Sequence, residues 1–318
     1  MLISFAILIL GFAALVWSAD RFVFGAAALA RNYGIPPLII GLTIVAMGSS
    51  APEMMVAAQA ALAGKTDTAV GNVVGSNITN VLLVLGATAL IRPLMVSSDI
   101  LKREMPILIL VSLGAWYIFS DDYFSFNEAI ALAVGFVLFI VGLIFITKNN
   151  PNKNDPLVAE TSDEIPEGVA TSKALFWLIV GMILLPVSSG YLVDAAVDIA
   201  KYFGMSDLLI GLTIIAIGTS LPELAASIAG AMKQEDDLAL GNIIGSNIFN
   251  ILAVLSIGGL IHPAIIDSAV SNRDIYVMLA AALILVFMSL NIRGMQRVNR
   301  FEGGLLVFAF IAYLYFII

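Results

Sequence analysis

Two glutamates, Glu53 and Glu223, each lie in a long apolar stretch with no other charge close by, and each directly follows a proline, Pro52 or Pro222. An ionised side chain inside a membrane helix costs about 3 kcal/mol even on lenient insertion scales, so its occurrence there points to function. The proline lacks an N–H and crowds the carbonyl four residues back, that of Gly48 or Gly218. The helix must kink or break there, freeing carbonyl oxygens. At membrane depth such backbone is tolerated only where it is buried in protein or lines a cavity. Two carboxylates beside loosened carbonyls make a site for a hard cation.

The neighbouring residues extend this donor set. Ala46, Ser49, Ser50 and Glu53 follow the i, i+3, i+4, i+7 pattern of one helix face, and Ala216, Thr219, Ser220 and Glu223 repeat it. Downstream, Asn72, Ser76 and Asn80 are four apart, as are Asn242, Ser246 and Asn250. Every donor is oxygen. The chain has no Cys, and its one histidine, His262, lies outside these motifs, which excludes thiolate and multi-histidine metal sites and cysteine nucleophiles. Oxygen donors favour Ca²⁺, Na⁺ or Mg²⁺ over zinc or copper. A dry, carbonyl-rich cage suits Ca²⁺ and the similarly sized Na⁺ better than Mg²⁺, which demands a tight octahedron and keeps its waters. Protons compete for the same carboxylates.

Plainer roles stand beside these. A membrane Ser or Thr commonly bonds the carbonyl four residues back. The glutamates could be protonated structural donors, a reading that their duplication disfavours. Gly71/Gly75 and Gly241/Gly245 form G-x-x-x-G pairs, which point to close helix packing more than to ligand contact. Asn77 and Asn247 either cap helix breaks or touch the ion. Asp20, Arg21, Asp194 and Asp198 read as interfacial charges, and Asp121–Asp122 and Asp236–Asp237 as solvated loop faces.

The elements that must position these residues follow from composition. Of 318 residues, 60% are hydrophobic and 12% charged, with a mean hydropathy of +1.02. Soluble domains run at about 45–50% apolar and about 25% charged. The chain is therefore expected to be an all-α integral membrane protein. Apolar blocks between polar breaks give ten transmembrane helices, at about 2–30, 38–63, 67–91, 99–119, 125–147, 173–202, 208–232, 237–261, 273–292 and 301–318. The first block lacks a basic leader and a small-x-small cleavage site, so it reads as a span rather than a signal peptide. Alternate connections carry eleven Lys and Arg on one side and three on the other. The richer side is expected to be cytoplasmic, with both termini outside. A net charge of −8 does not suit nucleic acid.

The chain repeats itself. A shift of 170 residues aligns GLTIVAMGSSAPE (41–53) with GLTIIAIGTSLPE (211–223), and GNVVGSNITN (71–80) with GNIIGSNIFN (241–250). From Leu38 to Pro93, 27 of 56 residues are identical to their counterparts. The expected organisation is a first five-helix repeat over 1–147 (motif 41–80), a polar cytoplasmic linker over 148–172, and a second five-helix repeat over 173–318 (motif 211–250). With an odd number of spans per half, the repeats are inverted, as in secondary transporters with a midplane site at the repeat interface.

GSSAPE at 48–53, GTSLPE at 218–223, and GSNI-x-N at 75–80 and 245–250 resemble the α-repeats of the calcium/cation antiporter superfamily, the sodium/calcium exchangers, in their compact prokaryotic form. The resemblance spans nearly the whole chain. It implies Ca²⁺ exchanged for Na⁺ by alternating access, with ions bound between helices 2, 3, 7 and 8. Glu53 and Glu223 would be the shared carboxylates, with Ser49, Ser50, Thr219 and Ser220 supplying hydroxyl or carbonyl oxygens. Ser76, Ser246 and the carbonyls of Ala46 and Ala216 would complete the Na⁺ sites, and Asn80 and Asn250 would sit centrally. Some relatives carry Asp at a central position; here both are Asn, which leaves two acids to balance one Ca²⁺ and argues against the potassium-dependent branch. The GN motifs carry no acid, unlike those of the proton-coupled branch, so Na⁺ coupling is favoured over Ca²⁺/H⁺ exchange.

The expected function is thus a Ca²⁺/Na⁺ antiporter of the cytoplasmic (inner) membrane, not an enzyme, with no cofactor. Its partners are Ca²⁺, Na⁺ and the lipid bilayer, with no nucleic acid and no obligate protein. A cation channel would line its path with similar groups but dissipate gradients. An intramembrane hydrolase would need a nucleophile–base pair or a catalytic metal, for which the motifs offer little.

Overall fold

The computed structural model describes residues 2–35, 46–96, 104–149, 166, 168–234, 236–289 and 297–318. Among these, eight helices are long and apolar enough to cross a membrane, and a shorter apolar helix covers Met105–Asp121. The protein is a helical, multi-span membrane protein. The predicted spans 38–63 and 99–119 begin outside the described residues, as do motif residues 41–45, most of the 148–172 linker, and Lys102, Arg103, Lys153 and Arg293.

Helix α1 covers Leu2–Asn32. At 1.5 Å per residue its 31 residues extend about 46 Å, against a hydrocarbon core of about 30 Å, so it must tilt or protrude. The short α2 (Ala46–Ser49) and α3 (Ala51–Leu62) follow. One rod then combines α4 (Thr66–Thr79), a π-helical segment Asn80–Leu85 and α5 (Gly86–Ile91). Next come α6 (Met105–Ile118), α7 (Phe126–Asn149) and the 33-residue α8 (Thr171–Phe203). The remaining elements follow in the second half of the chain. Helix α9 (Asp207–Ile210) leads through π-helical Gly211–Ile215 into α10 (Ala216–Thr219), followed by α11 (Leu221–Lys233). A second rod joins α12 (Asp236–Phe249), π-helical Asn250–Val254 and α13 (Leu255–Ile261). Helices α14 (Ile275–Ser289) and α15 (Arg300–Ile317) complete the chain.

The two motif-bearing rods form the centre: 78% and 83% of their apolar windows are buried, against 17% for α7. Around them, α1 and α8 pack along each other through glycines. A Cβ on Gly25 would meet the Leu178 backbone nitrogen at 2.4 Å, and one on Gly181 would meet the Phe22 Cβ at 2.5 Å. The first G-x-x-x-G pair also packs as expected. A Cβ on Gly71 would meet the Leu208 carbonyl at 2.6 Å, and one on Gly75 would meet the Leu212 Cα at 2.7 Å. These contacts press α4 directly onto the backbone of the α9–α10 segment. The second pair differs, because a Cβ on Gly245 would meet no described atom within 4 Å.

Short ladders tie the helix ends, β1 (Leu94–Met95) with β4 (Arg297–Val298) and β2 (Tyr123–Phe124) with β3 (Ala264–Ile265). Arg92 bonds the Asp236 carboxylate at 3.0 Å and the Ala231 carbonyl, while Asp236 also accepts from the Met95 backbone at 3.0 Å. Asp236 is therefore a structural link between the halves, not the solvated residue that its loop position suggests. His262, 170 residues after Arg92, occupies the matching place in the other half, where Thr66 Oγ1 donates to its carbonyl at 2.8 Å and lies 2.9 Å from its Nδ1.

Candidate cation site

The proline effect appears as a break rather than a bend. Ser50 (φ −89°, ψ 4°) and Ser220 (φ −84°, ψ 2°) leave helical geometry, and a new helix restarts at once with proline in its first turn. Glu53 and Glu223 thus lie in the first turns of α3 and α11, where free N–H groups and the helix dipole favour negative charge. Both are 1% exposed. Thr219 Oγ1 reaches Asn72, whose amide bonds the Glu53 carbonyl, so the two helix breaks adjoin. Thr219 sits beside the Glu53 carboxylate and Ser246 beside that of Glu223.

Unpartnered oxygens define the site. Both Glu53 oxygens, Glu223 Oε2, Ser50 Oγ, Ser220 Oγ, Ser246 Oγ, Asn80 Oδ1 and Asn250 Oδ1 are buried without a hydrogen-bond partner. A buried polar atom left unpaired costs about 1–3 kcal/mol, so so many from matching positions call for a ligand that supplies what hydrogen bonds do not. The donor chemistry, acceptor oxygens around two carboxylates, is that of a hard cation. Among the described residues no group of three or more Asp, Glu, His or Cys is placed to hold a metal ion; the remaining donors here are neutral.

The other expected ligands are drawn into the same region with partners. Ser76 Oγ lies 3.4 Å from Thr219 Oγ1, which donates to Asn72 Oδ1 at 3.3 Å. Asn72 Nδ2 donates to the Glu53 carbonyl at 3.4 Å, and Asn242 Nδ2 to the Glu223 carbonyl at 3.4 Å. Each asparagine therefore ties a glutamate's turn to the neighbouring rod. Ser49 lies in α2, and Ala46 and Ala216 open α2 and α10. Asn80 and Asn250 are the first residues of the π-helical segments within the two rods. Such segments admit an extra residue per turn and recur at functional sites. Asn77 and Asn247, whose role the sequence leaves open, hydrogen-bond the central asparagines. Their signal in the sequence is their position three residues before each.

Comparison with known proteins places the chain in a family. The family model described as sodium/calcium exchanger protein matches residues 3–146 and 173–318. A putative antiporter, CaxA, from Alkalimonas amylolytica is 57% identical over 315 residues, covering 99% of this chain and 98% of the relative. The sodium/calcium exchanger MaX1 of Methanosarcina acetivorans is 32% identical, covering 98% and 97%. Among solved structures, the sodium–calcium exchanger NCX_Mj soaked with 2.5 mM Na⁺ and 0.1 mM Ca²⁺ superposes with a TM-score of 0.63 at 31% identity, covering 99% and 98%. The fold and the oxygen-lined site define a membrane cation transporter. The chain belongs to the sodium/calcium exchanger family and is a transporter, not an enzyme.

Proposed function

We propose that the chain exchanges Ca²⁺ for Na⁺ across the cytoplasmic (inner) membrane by alternating access. The observation that carries this reading is the set of buried, unpartnered oxygens contributed by both halves around Glu53 and Glu223. Ca²⁺ is held by the two carboxylates with oxygens from Ser49, Ser50, Thr219, Ser220, Asn80 and Asn250. Na⁺ ions use the same carboxylates together with Ser76, Ser246 and the carbonyls of Ala46 and Ala216. One carboxylate pair carries two negative charges, enough for one Ca²⁺ or for Na⁺ in its place. Occupancy by one ion therefore excludes the other, which is the basis of coupling. The printed names of MaX1 and NCX_Mj, both sodium–calcium exchangers, support Na⁺ as the counter-ion.

The architecture in this reading is ten spans in two inverted five-helix repeats, 1–147 and 173–318, joined by a cytoplasmic 148–172 linker. Contacts between loops support it. Those after the odd-numbered spans meet one another, as in the β1–β4 ladder, the Arg92–Asp236 pair and the bond from Asn32 to the Val169 carbonyl. Those after the even-numbered spans do likewise, as in the β2–β3 ladder, the Lys65–Asp207 pair and Thr66 with His262.

The deciding experiment is ⁴⁵Ca uptake into proteoliposomes, driven in separate arms by an outward Na⁺ gradient and an outward H⁺ gradient. Uptake in the Na⁺ arm alone is expected. Uptake in the H⁺ arm alone would make the chain a Ca²⁺/H⁺ exchanger, and uptake needing neither gradient would make it a channel.

A further inference from the structure

The rods α4–α5 and α12–α13 exchange four side-chain hydrogen bonds in a crossed pattern. Asn77 Nδ2 donates to the backbone carbonyl of Asn247 at 3.2 Å, and Asn247 Nδ2 to the carbonyl of Asn77 at 3.3 Å. Their side-chain oxygens then accept from the opposite half: Asn80 Nδ2 donates to Asn247 Oδ1 at 3.0 Å, and Asn250 Nδ2 to Asn77 Oδ1 at 3.1 Å. All four residues are buried, at 1–2% exposure.

We infer that Asn77 and Asn247 are positioning residues that fix the amide orientation of Asn250 and Asn80, so that each central asparagine presents oxygen and not nitrogen to the cation. This rests on the cation-exchange reading above and assigns a task that the ligand set alone does not explain.

The polarity of the relay has one origin. A backbone carbonyl can only accept, so it obliges the amide facing it to present its NH₂. Asn77 and Asn247 are thereby turned with Nδ2 towards a carbonyl and Oδ1 towards the central amides. Each Oδ1 in turn obliges Asn250 or Asn80 to present its own Nδ2. What remains on each central residue is Oδ1, and those two atoms are buried without a partner. Rotating any one amide by half a turn sets two acceptors face to face at about hydrogen-bond distance. An unheld asparagine would be free to turn its NH₂ to the cation, where a donor repels. Because each central residue is held from the opposite half, the orientation also locks the two rods in register.

The test is a crossed double-mutant cycle on the full-length purified protein, with Ca²⁺ affinity measured by calorimetry and folding checked by monodispersity and melting temperature. Asn77→Leu removes the acceptor opposite Asn250 and should weaken Ca²⁺ binding about tenfold, the worth of one well-placed buried hydrogen bond. In an Asn250→Ala background the same change should cost less than about threefold, while in an Asn80→Ala background the full loss should persist. Asn247→Leu should show the mirror pattern, coupling to Asn80 and not to Asn250. Unchanged affinity in Asn77→Leu would overturn the inference, as would a loss that simply adds to that of Asn250→Ala. If Asn77→Leu is not monodisperse, Asn77→Ala runs the same cycle. If Asn250→Ala leaves no measurable binding, Asn77→Asp replaces the cycle. Protonated in this buried setting, its carboxyl keeps an oxygen opposite Asn250 and a donor for the Asn247 carbonyl, so it should bind within about threefold of the parent; an equal loss in Asp and Leu variants would overturn the inference. Failure of the parent protein itself to bind Ca²⁺ would instead count against the exchange reading.

Discussion

Replacing either buried carboxylate by its amide tests the site with little change in shape. Glu53 and Glu223 are each 1% exposed, and among the described ion pairs neither has a basic partner. With no basic partner among the described residues, a bound cation is the charge that would balance them. At an effective dielectric of about 20, two unit charges about 4 Å apart attract by about 4 kcal/mol, and a divalent ion doubles this. The amide oxygen of glutamine and proton binding by the empty site return part of it. A net loss of about 4 kcal/mol, a thousandfold in affinity, is a conservative expectation for Ca²⁺ in Glu53→Gln or Glu223→Gln. For Na⁺ the electrostatic loss is about half as large, because the charge is half. The variants should therefore lose Ca²⁺ far more than Na⁺, and Na⁺-driven ⁴⁵Ca uptake should fall to background. Near-parent exchange in either variant, or equal losses for the two ions, would refute the reasoning.

Other consequences are open to simple measurement. Ser246 Oγ is buried and unpartnered beside Glu223; Ser246→Ala should raise the Na⁺ concentration that half-drives uptake several-fold, with a smaller effect on Ca²⁺ affinity. Gly75→Ala would drive a Cβ to 2.7 Å from the Leu212 Cα, and should lower stability by about 1–3 kcal/mol, seen as a drop in melting temperature. The chain has no cysteine, so Ser120→Cys and Ser172→Cys, both at exposed positions, can be made without removing others. An impermeant maleimide should label the first in intact cells and the second only after permeabilisation; the opposite result would reverse the proposed orientation. If three Na⁺ exchange for one Ca²⁺, a potential of 100 mV contributes about 2.3 kcal/mol per cycle, so a potassium–valinomycin potential should shift uptake. Indifference to potential would exclude that stoichiometry.

The chemistry of the site was legible because it depends on residue type at fixed local spacing. Glu after Pro announces a charged, broken helix, and the 170-residue shift announces that the event occurs twice. The break at Ser50 and Ser220 follows from the proline alone. The helix count was harder. Spans 38–63 and 99–119 begin outside the described residues, and eight of the expected ten pass as long apolar helices. The π-helical openings at Asn80 and Asn250 leave no local mark, because the extra residue per turn is settled by packing between rods. The orientation of the amides was hidden for the same reason. It is imposed by backbone carbonyls about 170 residues away, and no window along the sequence contains both partners. Asp236 reads as a solvated loop acid from sequence because its partner, Arg92, lies 144 residues away.

Arg92 and His262 hold corresponding places in the two halves yet differ in kind: one is a permanently charged fork gripping an acid, the other an imidazole beside a threonine hydroxyl. An assembly of two identical subunits would have been obliged to wear the same residue at both of these corners. A single polypeptide carries no such obligation, so each corner can differ while the motifs at the heart of the molecule keep their paired signature.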